Sequence, residues 1–178
     1  NNIIFGGRQN GGSWPYITNQ PFYLVYKSND TLKDYIGDIG DYGFIYDEAH
    51  SGNINGYTGI TTDASNNIYL MGDFGENVFI NKYNFNGELI DTIDISGSGV
   101  ATSLLLQSDN KIIANYQYTI LPENNDVLAV SRLNSDLTID TGFNRTIFDI
   151  SNNGNIMNKL LLQNNTKLLV AGYTEFDN

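Results

Sequence analysis

The 178-residue chain contains no cysteine. Disulfides, zinc–thiolate sites and thiol nucleophiles are therefore excluded, although this absence does not fix a compartment. Positive charge is scarce: nine Lys and Arg stand against 20 Asp and Glu, a net charge of −11. No basic stripe exists that would track a phosphate backbone, so nucleic acid is not an expected partner. Anionic membrane surfaces are disfavoured for the same reason. No apolar run approaches the roughly 18 residues that mark a membrane span, so no membrane insertion is expected. One histidine, His50, leaves any His-based triad or metal site a single candidate.

What remains is the composition of a turn-rich β protein. There are 18 Gly, 12 Tyr and 9 Phe, and roughly one residue in seven is Asn, far above ordinary usage. Tyr and Phe favour strands, whereas Gly and Asn favour the turns between them. The Asn residues are scattered among apolar segments rather than gathered in a low-complexity tract.

Self-comparison reveals repeats. Asn2-Ile3-Ile4-Phe5-Gly6-Gly7 matches Asn67-Ile68-Tyr69-Leu70-Met71-Gly72, Lys111-Ile112-Ile113-Ala114-Asn115-Tyr116 and Lys167-Leu168-Leu169-Val170-Ala171-Gly172. Ser103-Leu104-Leu105-Leu106-Gln107 precedes the third copy and Lys159-Leu160-Leu161-Leu162-Gln163 the fourth. Gly59-Ile60-Thr61-Thr62-Asp63 is a weaker lead-in to the second. Downstream, Val127 to Leu133 matches Val78 to Tyr83 and Tyr23 to Lys27.

Each unit reads as four short strands with no helical periodicity. Leu104 to Leu106 is the first, and its consecutive apolar residues predict burial on both faces. A polar turn at Ser108 to Asn110 leads to the second, Lys111 to Tyr116, and a longer loop to the third, Val127 to Leu133. A tight turn at Asn134 to Asp136 predicts a fourth around Leu137 to Ile139. In the preceding unit that turn holds Asn86-Gly87, which predicts a two-residue hairpin with positive φ angles.

One four-strand sheet cannot bury both of its faces, and face-to-face stacking solves this. The expected fold is therefore all-β: a β-propeller-like array of four-stranded antiparallel blades, about three blades of a larger ring. The repeats place units at approximately 1–55, 56–100, 101–155 and, in part, 156–178. The frame opens on a second strand and closes after one, so we read the chain as an excerpt.

Leu106-Gln107-Ser108-Asp109-Asn110-Lys111-Ile112-Ile113-Ala114 and Arg132-Leu133-Asn134-Ser135-Asp136 through Asp140-Thr141-Gly142-Phe143 carry a family pattern. They resemble the delta-60 repeat, which runs apolar-Gln-x-Asp-Gly-Lys-Ile-apolar-apolar-Ala-Gly and then Arg-Leu-Asn-x-Asp-Gly-x-apolar-Asp-x-x-Phe. Leu162 to Gly172 matches the first half. Asn110 and Leu137 stand where the pattern has glycine, so those turns are expected to differ. The resemblance implies a β-propeller-like fold and no defined activity. Such repeats occur in large surface proteins and in phage tail or fibre proteins.

Candidate chemistry is sparse. His50 lies beside Asp47 and Ser51, but sequence neighbours do not make a triad, and the plainer reading is an exposed loop histidine. Asp38, Asp41 and Asp47 lie in an acidic, Gly-rich stretch that offers oxygen ligands of the kind calcium takes. Their spacing does not match a calcium loop, and a solvated acidic loop explains them as well. Trp14 and Tyr16 in one insertion, and Tyr42 and Tyr46 in another, are candidate ligand-binding aromatics. The alternation Tyr42-Gly43-Phe44-Ile45-Tyr46 equally fits an extra strand. The Gly-rich pieces at Gly6-Gly7 and Gly97-Ser98-Gly99 lack the Lys and Ser/Thr of a phosphate loop.

The sequence thus points to a non-enzymatic structural or binding module of a larger surface or virion protein, without cofactor. A phage tail or fibre scaffold or an adhesin is the type expected, in the virion or on a cell surface. Its expected partners are other subunits of a larger assembly and a host-cell surface protein or glycan. A carbohydrate-binding or glycan-processing propeller and an intracellular protein-interaction propeller are the alternatives.

Overall fold

The computed structural model describes residues 3–11, 18–26, 45–46, 54–74, 77–96, 99–120, 125–143, 145–148, 155–164 and 167–174. They form antiparallel β-sheets, with no helix among the described residues. The first sheet is β1 (Ile3–Gly11), β2 (Thr18–Tyr26) and β3 (Ile45–Tyr46). The second is β4 (Ile54–Thr62), β5 (Ile68–Phe74), β6 (Asn77–Tyr83) and β7 (Leu89–Ser96). The third is β8 (Gly99–Leu106), β9 (Ile112–Ile120), β10 (Asn125–Leu133) and β11 (Thr146–Phe148). The fourth is the hairpin β12 (Asn155–Gln163) and β13 (Lys167–Thr174). Within every sheet the strands pair in sequence order.

The sheets stack face to face in chain order. β4 lies against β8, β8 against β12, and β1 and β2 against β4. Alternation along the strands supplies both faces. Tyr69 and Met71 of β5 and Val78 and Ile80 of β6 meet Leu104, Ile112 and Tyr116 of the third sheet. The intervening Ile68, Leu70, Phe79 and Tyr83 form a second core on the opposite face. Ile113, Leu128 and Val130 turn the other way and pack on Leu160 of β12.

Complete burial on both faces therefore falls on the central strands. β5, β6 and β9 have runs of fully covered residues, whereas Leu105 and Leu106 of β8 are only partly covered. The first strand β8 does pack on both faces, as its consecutive apolar residues predict, with Leu104 and Leu106 on one core and Leu105 on the other, but its cover is less complete. A first strand is the edge of its sheet, so only one flank has a paired neighbour.

Four hairpins share one loop geometry. The amides of Asn66, Gly87, Asn110 and Leu137 donate to the carbonyls of Asp63, Asn84, Gln107 and Asn134, all at 3.0 Å. The amides of Asp63, Asn84, Gln107 and Asn134 donate onward to Asn67, Glu88, Lys111 and Thr138. The third residue of each loop is left-handed, with φ of 63°, 84°, 62° and 62° at Asn66, Gly87, Asn110 and Leu137. This is a type I turn closed by a left-handed residue, the usual three-residue hairpin loop. The two-residue hairpin expected at Asn86-Gly87 is thus a three-residue loop in which Gly87 alone has positive φ. Asn110 and Leu137 do not change the turn, contrary to expectation; they adopt the glycine conformation.

The fourth strand of the third sheet also differs. Leu137 is the loop residue, Ile139 makes one isolated bridge to Leu133, and the edge strand is Thr146–Phe148 opposite Leu128 to Val130. The second sheet, by contrast, forms its fourth strand directly after the turn, from Leu89.

Candidate functional site

The polar side chains of the described residues form clusters, some at seams between sheets and some within one unit. The first seam is built from the hairpin loops. Asp63 caps its own loop, its Oδ1 accepting from the amides of Ser65 and Asn67, both at 2.9 Å. Its Oδ2 accepts from Asn67 Nδ2 at 2.8 Å and faces the Tyr69 hydroxyl at 3.0 Å. Burial alone would raise the Asp63 carboxyl, but these hydrogen bonds outweigh it and hold the group below the usual carboxylate range. Tyr69 is pushed up, first by burial and then by the facing Asp63 charge. The Tyr69 hydroxyl also lies 3.2 Å from the carbonyl of Ser135, which accepts from Lys82 Nζ at 2.7 Å. The Lys82 ammonium sits 5.4 Å from the centroid of the Tyr69 ring. One loop of the third sheet is thereby tied to two strands of the second.

The second cluster joins the ends of the third unit's repeat. Lys111 immediately precedes the second strand β9, Arg132 lies near the end of the third strand β10, and Asp140 follows the loop. Lys111 Nζ and Arg132 Nε meet Asp140 Oδ2 at 2.5 and 2.7 Å. Asp140 Oδ1 accepts from the Gly142 amide at 2.9 Å. The Asp140 backbone donates to the Arg132 carbonyl and accepts from the Phe143 amide, and the Arg132 guanidinium lies 4.8 Å from the Phe143 ring centroid. The Lys111 ammonium first, then the Gly142 amide and Arg132, draw the Asp140 carboxyl down to about 2. It is a carboxylate throughout the neutral range with both oxygens engaged, so it serves as an anchor and not as a proton acceptor.

Two further contacts cross between the second and third sheets. Arg145 Nη2 donates to the Ile95 carbonyl at 2.9 Å, with its guanidinium 4.9 Å from the Tyr118 ring and 5.9 Å from the Tyr116 ring. Asp73, fully buried in β5, accepts from the Ala101 amide of β8 at 3.3 Å. Within the second sheet the buried Asn81 donates to the Tyr83 hydroxyl at 3.1 Å and accepts from Thr92 at 2.7 Å.

The residues that the sequence singled out for binding lie elsewhere. Trp14, Tyr16 and Tyr42 lie outside the described residues, as do Phe44, His50, Ser51 and the calcium candidates Asp38, Asp41 and Asp47. Tyr46 is in β3, paired with Phe22, so its backbone belongs to a strand. Among the described residues no group of three or more His, Asp or Glu side chains comes together in a way that could hold a metal ion.

Sequence reasoning missed the roles of Asp73, Arg145 and Asp140. Asp73 could have been flagged as a carboxylate at the end of the apolar run from Ile68. Asp140, Lys111 and Arg132 were visible only as motif positions. Arg145 carries no local signal, because Ile95 comes from another sheet and Tyr116 and Tyr118 from a strand distant in sequence.

No family model matches the chain, and comparison with curated proteins finds no relative.

Proposed function

We propose that this chain is a non-enzymatic structural module, a propeller-like array of blades within a larger surface or virion protein. The observation that carries this reading is the stack itself. The third sheet shares an apolar core with the second on one face and with the fourth on the other, and the first strand β8 lies against both β4 and β12. In a propeller, first strands line the central axis and sheets radiate from it. The resemblance to the delta-60 repeat supports the same arrangement. Its Lys, Arg, Asp and Phe positions in the third unit are the residues that close the Asp140 cluster.

The seams support a scaffold role. Their charged and polar side chains are spent on tying loops and strands together. A rigid array of this kind is suited to presenting loops, and function on such scaffolds commonly sits in the loops. The acidic surface, at net −11, favours solubility and partners with basic or neutral faces.

The test is electron microscopy of the full-length protein combined with surface labelling of the intact particle or cell. The expected result is a ring-shaped density accessible to antibody from outside. A purified protein with hydrolase activity that a single carboxylate substitution abolishes overturns the non-enzymatic reading, and an epitope reachable only after lysis overturns the location.

A further inference from the structure

The four hairpin loops with a common backbone differ in one chemical respect. The last two loop residues are Ser65-Asn66, Asp109-Asn110 and Asp136-Leu137 in three of them, and Asn86-Gly87 in the loop between β6 and β7. Of the four, only this loop places an amide side chain directly before a glycine. The backbone nitrogen that follows an asparagine can attack its side-chain carbonyl, and glycine has no Cβ to obstruct the approach. Asn86 is exposed, so water can reach the product.

The closed loop holds the reacting atoms apart. The Gly87 amide donates to the Asn84 carbonyl at 3.0 Å, and it must lose that proton to become a nucleophile. Asn84 Oδ1 accepts from the Asn86 amide at 2.8 Å and from the Glu88 amide at 3.0 Å. Asn84 Nδ2 donates to Glu88 Oε2 at 2.5 Å. One side chain thus pins the backbone on both flanks of the reactive pair. Asn86 is residue i+2 of the type I turn, where ψ is about 0°. A planar five-membered ring needs the Asn86 Cα–Cβ bond to eclipse the bond to the Gly87 nitrogen, a rotation of roughly 120° from that ψ.

We infer that Asn86-Gly87 is a latent self-modification site, closed in the folded loop and released when the β6–β7 hairpin opens. In the open chain the Gly87 nitrogen gives up its proton and bonds to Asn86 Cγ. The Cγ–Nδ2 bond breaks and ammonia leaves, giving a succinimide. Water then opens the ring. Attack at the side-chain carbonyl yields an ordinary aspartate at position 86, and attack at the backbone carbonyl yields an isoaspartyl link. The first product fits, because Asp109 and Asp136 hold the same position in two sister loops. There Oδ1 accepts from the Lys111 and Thr138 amides at 3.2 and 3.0 Å. The second product lengthens the main chain by an atom inside a loop whose closing hydrogen bonds fix its length. It cannot re-form the Gly87-to-Asn84 and Asn84-to-Glu88 bonds, so it traps the hairpin open and frees the outer strand β7. None of this depends on the surface or virion reading.

Peptide mapping by mass spectrometry after incubation at mildly alkaline pH tests this, with isoaspartyl-specific methylation separating the two products. The expected result is deamidation of Asn86 at least about tenfold slower in the native chain than in the chain unfolded in urea. Urea below the unfolding midpoint should raise the Asn86 rate and the exchange rate of the Gly87 amide together, since both need the loop to open. Asn84→Ala removes the oxygen that holds two loop amides, so native deamidation should quicken about fivefold or more, the effect of losing two hydrogen bonds. Asn84→Asp should restore protection, because Asp63 accepts from the Ser65 and Asn67 amides at the same position of its own loop. Asn86→Asp should unfold like the wild type, and the isoaspartyl fraction at lower urea. The urea series on the unaltered chain carries the test whether or not the variants fold. A native chain that reacts at the unfolded rate overturns the proposal, as does an Asn86 rate that ignores Gly87 exchange. An isoaspartyl product as stable as the wild type overturns the trapped hairpin.

Discussion

A Cβ placed on Gly59 would lie 2.8 Å from both the Cβ and the backbone nitrogen of Leu104. The first strands of the second and third sheets touch here, backbone to backbone, and the absence of a side chain sets how closely they approach. The three nearest atoms, Leu104 Cβ, Leu104 N and Ser103 C, are all main-chain or Cβ atoms fixed by the β8–β9 ladder, so none can move aside cheaply. Gly59→Ala should therefore destabilise by about 1–3 kcal/mol, the usual range for overpacking a formed core. Chemical denaturation measures it. A neutral effect would mean that β4 and β8 are not held at this distance.

Leu137 occupies a left-handed position, yet its side chain is buried in the core between the second and third sheets. Two opposing terms can be separated by substitution. Leu137→Ala removes the buried side chain at a cost of about 2–4 kcal/mol and keeps the unfavourable φ. Leu137→Gly loses the same side chain but recovers about 1 kcal/mol of backbone strain. The expected order of stability is wild type, then glycine, then alanine. At Asn110, in the same backbone state but exposed, glycine should be neutral or stabilising by less than about 1 kcal/mol. Thermal melts of the three variants check the order.

Asp140 links stability to acid. Its folded carboxyl is drawn from 3.8 down to about 2. A depressed folded value stabilises the native state above the unfolded pKa, and that contribution fades as pH falls through the folded one. The stability that Asp140 contributes should thus be intact at pH 5 and above and disappear between about pH 4 and pH 2. Urea midpoints measured across that range should fall less steeply in Asp140→Asn than in the wild type. Equal slopes would show that the Lys111 and Arg132 contacts do not bias the carboxylate.

Arg145 both donates to Ile95 and stacks over two tyrosine rings. Arg145→Ala should cost about 1 kcal/mol, and Arg145→Lys should recover little of it, because an ammonium lacks the planar face that stacks on the ring. The phenol of Tyr116, raised by burial and lowered in part by Ser131 and Arg145, should titrate higher in Arg145→Ala. Spectrophotometric titration reads this directly. An unchanged tyrosine titration would place the guanidinium elsewhere.

The all-β character and the strand pairs were legible because alternation and turn residues act locally. Asn86-Gly87 and Asp109-Asn110 marked loops that the structure contains, and Ile112 to Tyr116 marked a central strand. The fourth strand of the third sheet was not legible. Leu137 to Ile139 has strand-like residues, but the Asp140 ion pairs and the Phe143-to-Asp140 turn lead the chain away before it pairs. The edge position passes instead to Thr146–Phe148. Polar ties such as Asp73 to Ala101 depend on which sheets face each other, and no local pattern encodes that. The aromatic and acidic candidates Trp14, Tyr16, Tyr42, Asp38, Asp41 and Asp47 lie outside the described residues, so the seams are the chemistry that the fold explains.

The cores between the second and third sheets and between the third and fourth are each shared by consecutive sheets, which makes the energetics of the stack close to one-dimensional. Stability is then a profile along the chain and not a single number. A sheet clasped on both faces loses two interfaces when it opens, whereas a sheet covered on one face loses one. Amide exchange should be slower at the covered Leu70, Phe79 and Ile113 than at the exposed Leu161 and Leu169. Any partner that covers Leu161 and Leu169 would raise the protection of β13 first, so local exchange rates can report assembly without a functional assay.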